Sequence, residues 1–250
     1  MIDRILAWLA DSAHWQGDDG ILRRIVEHME FSLAAIVIAA LIAIPLGLYV
    51  GHTGRGRFLV VNAVGGARAI PSLGLLFLAV LWLGPRLSGD VAFLAPAGLV
   101  LVVLAIPPIL SGAYAGVEGV DPAARDAAVG MGMRGTEVLR HVELPCALPL
   151  ILSGVRSAML QVIATATIAA VVGLGGLGRF LIDGLAVRDT PQTAAGAILV
   201  AVLALVVDLV LALVQRSMVS PGLTGRYGKV SSTDAESGTA IPASALQQSI

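Results

Sequence analysis

The sequence predicts an all-α membrane protein with about five transmembrane helices. Hydrophobic residues make up 57% of the chain and charged residues only 13%, about half of the roughly 25% that is usual in soluble domains. The apolar residues are gathered into runs long enough to cross a bilayer, which takes about 20 helical residues. Because hydrocarbon offers the backbone no hydrogen-bond partners, these runs are expected to be helical.

Five stretches are candidates for membrane spans. They cover residues 31–50, 58–83, 91–114, 147–172 and 193–214. Gly65, Arg68 and Pro71 interrupt the second stretch, and Pro107 lies within the third. Since proline removes a backbone donor, we expect neighbouring helices or water to satisfy the backbone at these positions.

Small residues four positions apart recur inside the spans, as in Gly47 with Gly51 and Gly112 with Gly116. Such pairs let the backbones of neighbouring membrane helices approach closely. Glycine is common throughout the chain, with 29 residues, so the pairs predict tight packing in general.

The two ends of the chain differ from its centre. Residues 1–27 are expected to form an N-terminal segment at the membrane surface, because Ile2, Ile5, Leu6 and Leu9 recur at helical spacing. Trp8 and Trp15 would then lie at the level of the lipid headgroups. Residues 217–250 are rich in Ser, Thr, Gly and Pro, and we expect them to form a disordered tail.

A long polar stretch, residues 121–145, separates the third and fourth spans. Asp121 is suited to cap a helix and Pro122 fits its first position. The alanines that follow favour a short helix, which Gly130 and Gly132 are expected to stop or bend.

A second short segment of this stretch, residues 136–142, is expected to end before Pro145, which should block its continuation into the next span. The result would be a two-part helical projection, a shape that suits insertion into a groove of a soluble partner. The alternative is a plain polar connector, although a connector needs far fewer residues.

The spacing in this stretch resembles the EAA loop of ABC importer permeases, which reads Glu-Ala-Ala, three residues, Gly, nine residues, Ile, one residue, Leu-Pro. The matching residues here are Asp126, Ala127, Ala128, Gly132, Val142, Leu144 and Pro145. Asp126 and Val142 are conservative departures from the pattern. In that family the loop is the docking site for a cytoplasmic ATPase dimer. The resemblance therefore implies a type I importer permease-like core with a cytoplasmic coupling-helix loop.

Other segments resemble the osmoprotectant branch of the family, which imports glycine betaine, carnitine, choline or proline. They are residues 28–50, 68–73, 106–110, 165–167 and 173–178. The resemblance implies that residues 28–216 form the permease domain. It also implies a second permease, identical or similar, and an extracytoplasmic solute-binding protein. Methionine-type permeases share a similar five-helix core, so another small solute such as methionine stays an alternative.

The distribution of basic residues favours one orientation in a bacterial cytoplasmic membrane. Residues 51–57, residues 115–146 and the C-terminal tail together carry eight Lys or Arg, whereas the opposite set carries six. The positive-inside rule then places the loop and the C-terminus in the cytoplasm and the N-terminus outside. The resemblance implies the same orientation.

Polar residues inside spans are costly in lipid and are therefore candidates for lining a solute pathway. The candidates are the polar residues Arg68, Ser72, Gln161, Thr165 and Thr167, together with Pro71 at the break in the second span. Threonines in a membrane helix are equally compatible with hydrogen bonds to carbonyls of their own helix. Asp208 either faces the bundle interior, reaches the headgroups or pairs with Arg156.

Several functions are disfavoured by the residues present. The segment Gly173–Gly178 satisfies GxGxxG, but a dinucleotide site needs a preceding strand, so we expect a tight reversal at the outer end of the fourth span. No Walker-type phosphate-binding loop exists and the only lysine is Lys229, so ATP must be bound and hydrolysed by a partner subunit.

The remaining classes have little support. The four histidines lack metal-ligand spacing and no catalytic set of nucleophile and base assembles. The net charge of −1 argues against nucleic-acid binding. We therefore expect no catalytic residue, metal or cofactor in this chain. An ion-coupled secondary transporter is the alternative of a different class, and Asp208 alone supports it.

Overall fold

The structure is a computed structural model that describes residues 1–67 and 69–218. In this part of the chain the regular elements are helices, as the sequence predicts. They are α1 (Ile2–Ala10), α2 (Ile21–Thr53), α3 (Arg57–Ala67), α4 (Ser72–Leu83), α5 (Val91–Glu118), α6 (Pro122–Gly130), α7 (Gly135–Val138), α8 (Leu144–Ala169), α9 (Gly178–Ala186) and α10 (Thr190–Met218).

Among the described residues, four helical stretches are long and apolar enough to cross a membrane. They are α2, α5, α10 and the stretch Gly135–Val172, which joins α7 and α8 through a π-helical turn at Leu139–Glu143. The expectation that Pro145 blocks continuation into the fourth span is therefore wrong. The ring of proline clashes with the carbonyl four residues earlier, and the wider π-helical turn directly before α8 relieves that constraint.

The stretch expected over residues 58–83 is divided near the interruptions seen in the sequence, because the chain forms α3 and α4 there. The Ala69 N–H donates to the Gly66 carbonyl at 3.0 Å in a turn. Pro71 then has an extended backbone, with φ −65° and ψ 114°, directly before α4. Proline also steers the residue before it away from helical geometry, which explains the break. Arg68 lies outside the described residues.

The two short helices together still carry the chain across the bundle. A Cβ at Gly47 would meet Ala113, and a Cβ at Gly51 would meet Val117, so α2 and α5 run parallel. A chain that leaves the end of α2 must cross the thickness of the bundle before it can enter α5. The described helices therefore make five crossings, and α3 with α4 makes the second.

The remaining long helices alternate in direction. A Cβ at Gly112 would meet the backbone of Leu150, and one at Gly116 would meet Ala147, so α8 runs antiparallel to α5. The Gln215 side chain donates to the Pro149 carbonyl at 3.0 Å, which pairs the end of α10 with the start of α8. The ends of α2 and α10 and the segment 119–143 thus share one end of the bundle, here called the loop end. The opposite end, with the starts of α2 and α5, is called the far end.

The bounds of the terminal segments differ from those expected. Helix α1 is present, and α2 begins at Ile21, within the expected N-terminal segment of residues 1–27. Ile21 is fully buried in a cluster with Leu177 and Phe180, and this packing extends the first membrane helix. At the other terminus α10 continues to Met218, and residues 219–250 of the expected tail lie outside the described residues.

The two tryptophans of the N-terminal segment pack against protein. Trp8 stacks on His14 with ring centroids 4.1 Å apart, and it forms a T-shaped pair with Phe180 with ring centroids 5.5 Å apart. The Trp15 indole donates to the Leu9 carbonyl at 2.8 Å. The N-terminal segment is thus attached to the far end of the bundle.

An ion pair joins the fourth and fifth spans. The Arg156 Nε and Nη2 donate to the two carboxylate oxygens of Asp208 at 2.5 and 2.6 Å. Of the alternatives for Asp208, pairing with Arg156 is the one found. A two-pronged pair of this kind fixes the relative rotation and height of the two helices.

We expect Gly112→Ala to lower the stability of the bundle by about 1–3 kcal/mol, the usual cost of overpacking. The new Cβ would lie 2.6 Å from the Leu150 carbonyl oxygen, which is backbone and moves only with α8. Thermal unfolding in detergent measures the effect. Gly98→Ala is the matched control in the same helix, because its Cβ meets no atom within 4 Å. Equal melting temperatures for both variants would contradict the packing described.

We expect Asp208→Asn to lower the melting temperature, because it leaves the Arg156 guanidinium without its counter-charge between two membrane helices. Arg156→Gln should destabilise in the same way. The double variant Arg156→Gln, Asp208→Asn should lose less than the sum of the two single variants, since neither charge is then left alone. Strict additivity in thermal unfolding would mean that the pair contributes nothing.

Candidate functional site

The polar stretch at the loop end folds as the sequence predicts at its start. The Asp121 carboxylate accepts a hydrogen bond from the Ala123 N–H at 2.9 Å, and Pro122 occupies the first turn of α6. Helix α6 ends at Gly130, and Gly132 follows with φ +87°. A side chain is strained at that φ, so Gly132 permits the sharp change of direction between α6 and α7.

The residues predicted to dock an ATPase do not all lie on one surface. Asp126, Ala127, Gly132 and Pro145 are exposed, Val142 and Leu144 are half-buried, and Ala128 is 1% exposed. Ala128 therefore packs α6 against its neighbours. The docking role of the seven residues stays a prediction.

Two hydrophobic residues complete an exposed surface that the sequence reasoning missed. Val129 is 60% exposed and Met131 is 73% exposed, next to the exposed residues of α6. We call Asp126, Ala127, Val129, Met131 and Gly132 the loop surface. Exposed apolar side chains within a polar loop are typical of a protein–protein contact, and their place beside Gly130 and Gly132 was the available signal.

A buried carboxylate holds α6 against the bundle. The Glu143 side chain is 2% exposed, and its Oε1 lies 2.9 Å from the Arg125 Nε. Its Oε2 lies 2.6 Å from the His52 Nδ1. The Arg125 Nη2 also donates to the Val117 carbonyl. Sequence reasoning missed this cluster, because only a glutamate directly before an apolar span pointed to it.

The predicted pathway residues are spread over two helices. Pro71 is exposed and Ser72 is half-buried at the start of α4. Gln161 in α8 donates to the Leu104 carbonyl of α5 at 3.1 Å. The hydroxyls of Thr165 and Thr167 donate to carbonyls of their own helix at 2.9 and 3.0 Å, the alternative that threonine chemistry left open. Their role in a solute pathway stays a prediction.

The glycine-rich segment forms a reversal at the far end, as predicted. Gly173 and Gly176 have φ +95° and +84°. The Gly176 N–H donates to Glu27 Oε2 at 3.0 Å, and a Cβ at Gly176 would lie 2.9 Å from the His28 Nδ1. Glycine is thus needed here both for its φ and for close approach to α2.

A cleft of about 420 Å³ opens beside this reversal. Its lining includes Arg23, Glu27, Glu30, Phe31, Asp90 and Phe93. The carboxylates and aromatic rings are groups that attract cations. Arg23 and Arg24 each pair with Glu27, at 3.4 and 2.8 Å, which leaves Glu30 and Asp90 as the exposed acids of the cleft.

Comparison with known proteins places this architecture in a family. Residues 28–220 match the family model described as "Binding-protein-dependent transport system inner membrane component". The chain is 34% identical over 205 residues to the glycine betaine/carnitine/choline transport system permease protein OpuCB of Bacillus subtilis (strain 168), covering 82% of this chain and 91% of that protein. It is 31% identical over 220 residues to the osmoprotectant import permease protein OsmW of Salmonella typhimurium (strain LT2), covering 85% and 99%.

Solved structures agree on the fold. An inward-facing structure of the MetNI methionine ABC transporter aligns with a TM-score of 0.69 at 20% identity, covering 80% of this chain and 96% of that chain. The predicted importer-permease fold is thereby confirmed. The chain belongs to the family of binding-protein-dependent transport system inner membrane components, and it is a multi-pass permease of the inner membrane.

Proposed function

We propose that this chain is the permease subunit of an ATP-binding-cassette importer for a small osmoprotectant such as glycine betaine, carnitine, choline or proline. The observation that carries the proposal is the family match over residues 28–220. The printed names of relatives at 34% and 31% identity support the class of solute.

The cleft at the far end supports a quaternary ammonium solute. The ring of Phe93 is 50% exposed and lines the cleft together with the carboxylates of Glu30 and Asp90. A trimethylammonium group is held by aromatic faces and by negative charge. A cleft of this chemistry favours entry of such a cation over entry of an anion.

The loop surface is proposed as the docking site of a cytoplasmic ATPase dimer. Val129 and Met131 offer apolar contact, and Asp126 offers charge beside them. Docking of a cytoplasmic ATPase requires the loop end to face the cytoplasm. The C-terminus is then cytoplasmic, and the N-terminal segment lies outside together with the far end. A solute-binding protein would then deliver solute to the far end.

The mechanism that we propose couples ATP hydrolysis in the partner to rocking of the bundle. Two permeases, identical or similar, enclose the path, and closure of the ATPase dimer moves both loop surfaces. Rigid-body movement of helices then opens the path alternately to each side. Ion coupling has less support, since Asp208 is paired with Arg156.

We expect the double variant Asp126→Arg, Gly132→Trp to lose both the copurifying ATPase and solute uptake, because it changes the charge and shape of the loop surface. The ATPase recovered with a tagged permease and the uptake of labelled glycine betaine measure the two effects. The matched control is Gly17→Trp, Asp18→Arg at the far end, where Gly17 also has positive φ and open space. Its ATPase recovery should equal that of the wild type. Undiminished recovery in the loop variant would show that docking occurs elsewhere.

We expect proteoliposomes loaded with ATP, and without an ion gradient, to take up labelled glycine betaine when the binding protein is present. Unlabelled choline or carnitine should compete, whereas methionine should not. Uptake of methionine instead would replace the solute class and leave the permease assignment intact. Uptake driven by an ion gradient without ATP would overturn the importer mechanism.

A further inference from the structure

We propose that Glu143 is the positioning residue through which movement of α6 reaches the membrane helices. This inference rests on the proposed docking of an ATPase at the loop surface. It assigns a role to a buried carboxylate outside the loop surface.

The geometry joins three distant parts of the sequence at one carboxylate. Glu143 binds Arg125 of α6 with one oxygen and His52, near the end of α2, with the other, at 2.9 and 2.6 Å. Arg125 also donates to the Val117 carbonyl near the end of α5. Glu143 itself ends the π-helical turn that leads into α8. Glu143 and Arg125 together thus connect the loop helix to three membrane helices, α2 and α8 through Glu143 and α5 through Arg125.

The burial of Glu143 makes these contacts obligatory. Its side chain is 2% exposed, whereas those of Arg125 and His52 are 28% and 26% exposed. A buried carboxylate that loses its partners is left with an uncompensated charge, which is strongly unfavourable. When α6 moves, Arg125 and Glu143 are therefore expected to move together, while a solvated pair would simply separate.

The position of α6 leaves few other contacts through which its movement could reach the membrane helices. Its main contacts within the described residues are with α7 and with the π-helical turn. The π-helical turn carries Glu143, and such turns recur at functional positions in helices. Buried ion pairs add little to stability compared with well-packed apolar groups, so stability alone does not explain a charge cluster here.

A second ion pair at the loop end provides a matched comparison. Arg57 Nη2 and Glu118 Oε1 are 2.8 Å apart and join α3 to α5. Their side chains are 65% and 40% exposed, and exposed pairs contribute little because water screens them. The pair lies outside α6, so its loss should not affect coupling.

The test uses the permease complex with its copurifying ATPase, reconstituted with the binding protein in ATP-loaded proteoliposomes. The variants are Glu143→Gln, Arg125→Gln and the control Glu118→Gln. ATP hydrolysis and uptake of labelled glycine betaine are measured in the same vesicles. We expect the first two variants to keep the ATPase bound and to raise the ATP hydrolysed per solute by about tenfold, within the range of a lost coupling contact. The control should match the wild type.

Four results would overturn the inference. The first is an unchanged ratio of ATP to solute in Glu143→Gln. The second is a loss of uptake in Glu143→Gln that only follows a loss of folded permease, with an unchanged ratio of ATP to solute in the folded Arg125→Gln permease. The third is a wild-type permease that brings down no ATPase, which would overturn the proposed function together with this inference. Loss of ATPase binding in Glu143→Gln with normal coupling in Arg125→Gln would also count against it.

Discussion

The need to satisfy every backbone hydrogen bond within lipid determines this architecture. It limits the spanning segments to helices, and small residues then decide how closely those helices pack. Helix α5 lies between α2 and α8, and a Cβ at Gly47 or Gly112 would come within 2.6 Å of the neighbouring helix. The central position of α5 therefore depends on glycine at both contacts.

Most of the architecture could be predicted from local sequence patterns. The predicted and observed helices differ where contacts between distant residues determine the helix bounds. Composition and run length indicated the spans, and the Asp121 cap with Pro122 indicated the start of α6. The early start of α2 depends on the packing of Ile21 against Leu177, which no local pattern reveals. Gly65 and Pro71 marked an interruption in residues 58–83, but they did not show that the stretch divides into two separate helices.

The candidate site follows the same rule. The loop motif could be recognised from the sequence because all of its residues lie close together, within residues 126–145. The cluster around Glu143 was not, because His52 lies 91 positions away. Arg156 and Asp208 lie 52 positions apart. Their opposite charges made an ion pair one of the expected alternatives, but only the folded structure shows that the two side chains meet. Spacing therefore predicts the local form of the loop better than contacts between distant helices.

The π-helical turn before Pro145 has a mechanical consequence. Because the helix is not interrupted, Gly135–Val172 is a single rod of 38 residues, about 57 Å long at 1.5 Å per residue. One end of this rod lies beside the loop surface, and the other ends at the glycine reversal that contacts α2. A small tilt at the first end becomes a lateral displacement at the second. Under the proposed docking at the loop surface, a push on the cytoplasmic side would therefore displace the glycine reversal on the other side of the bilayer.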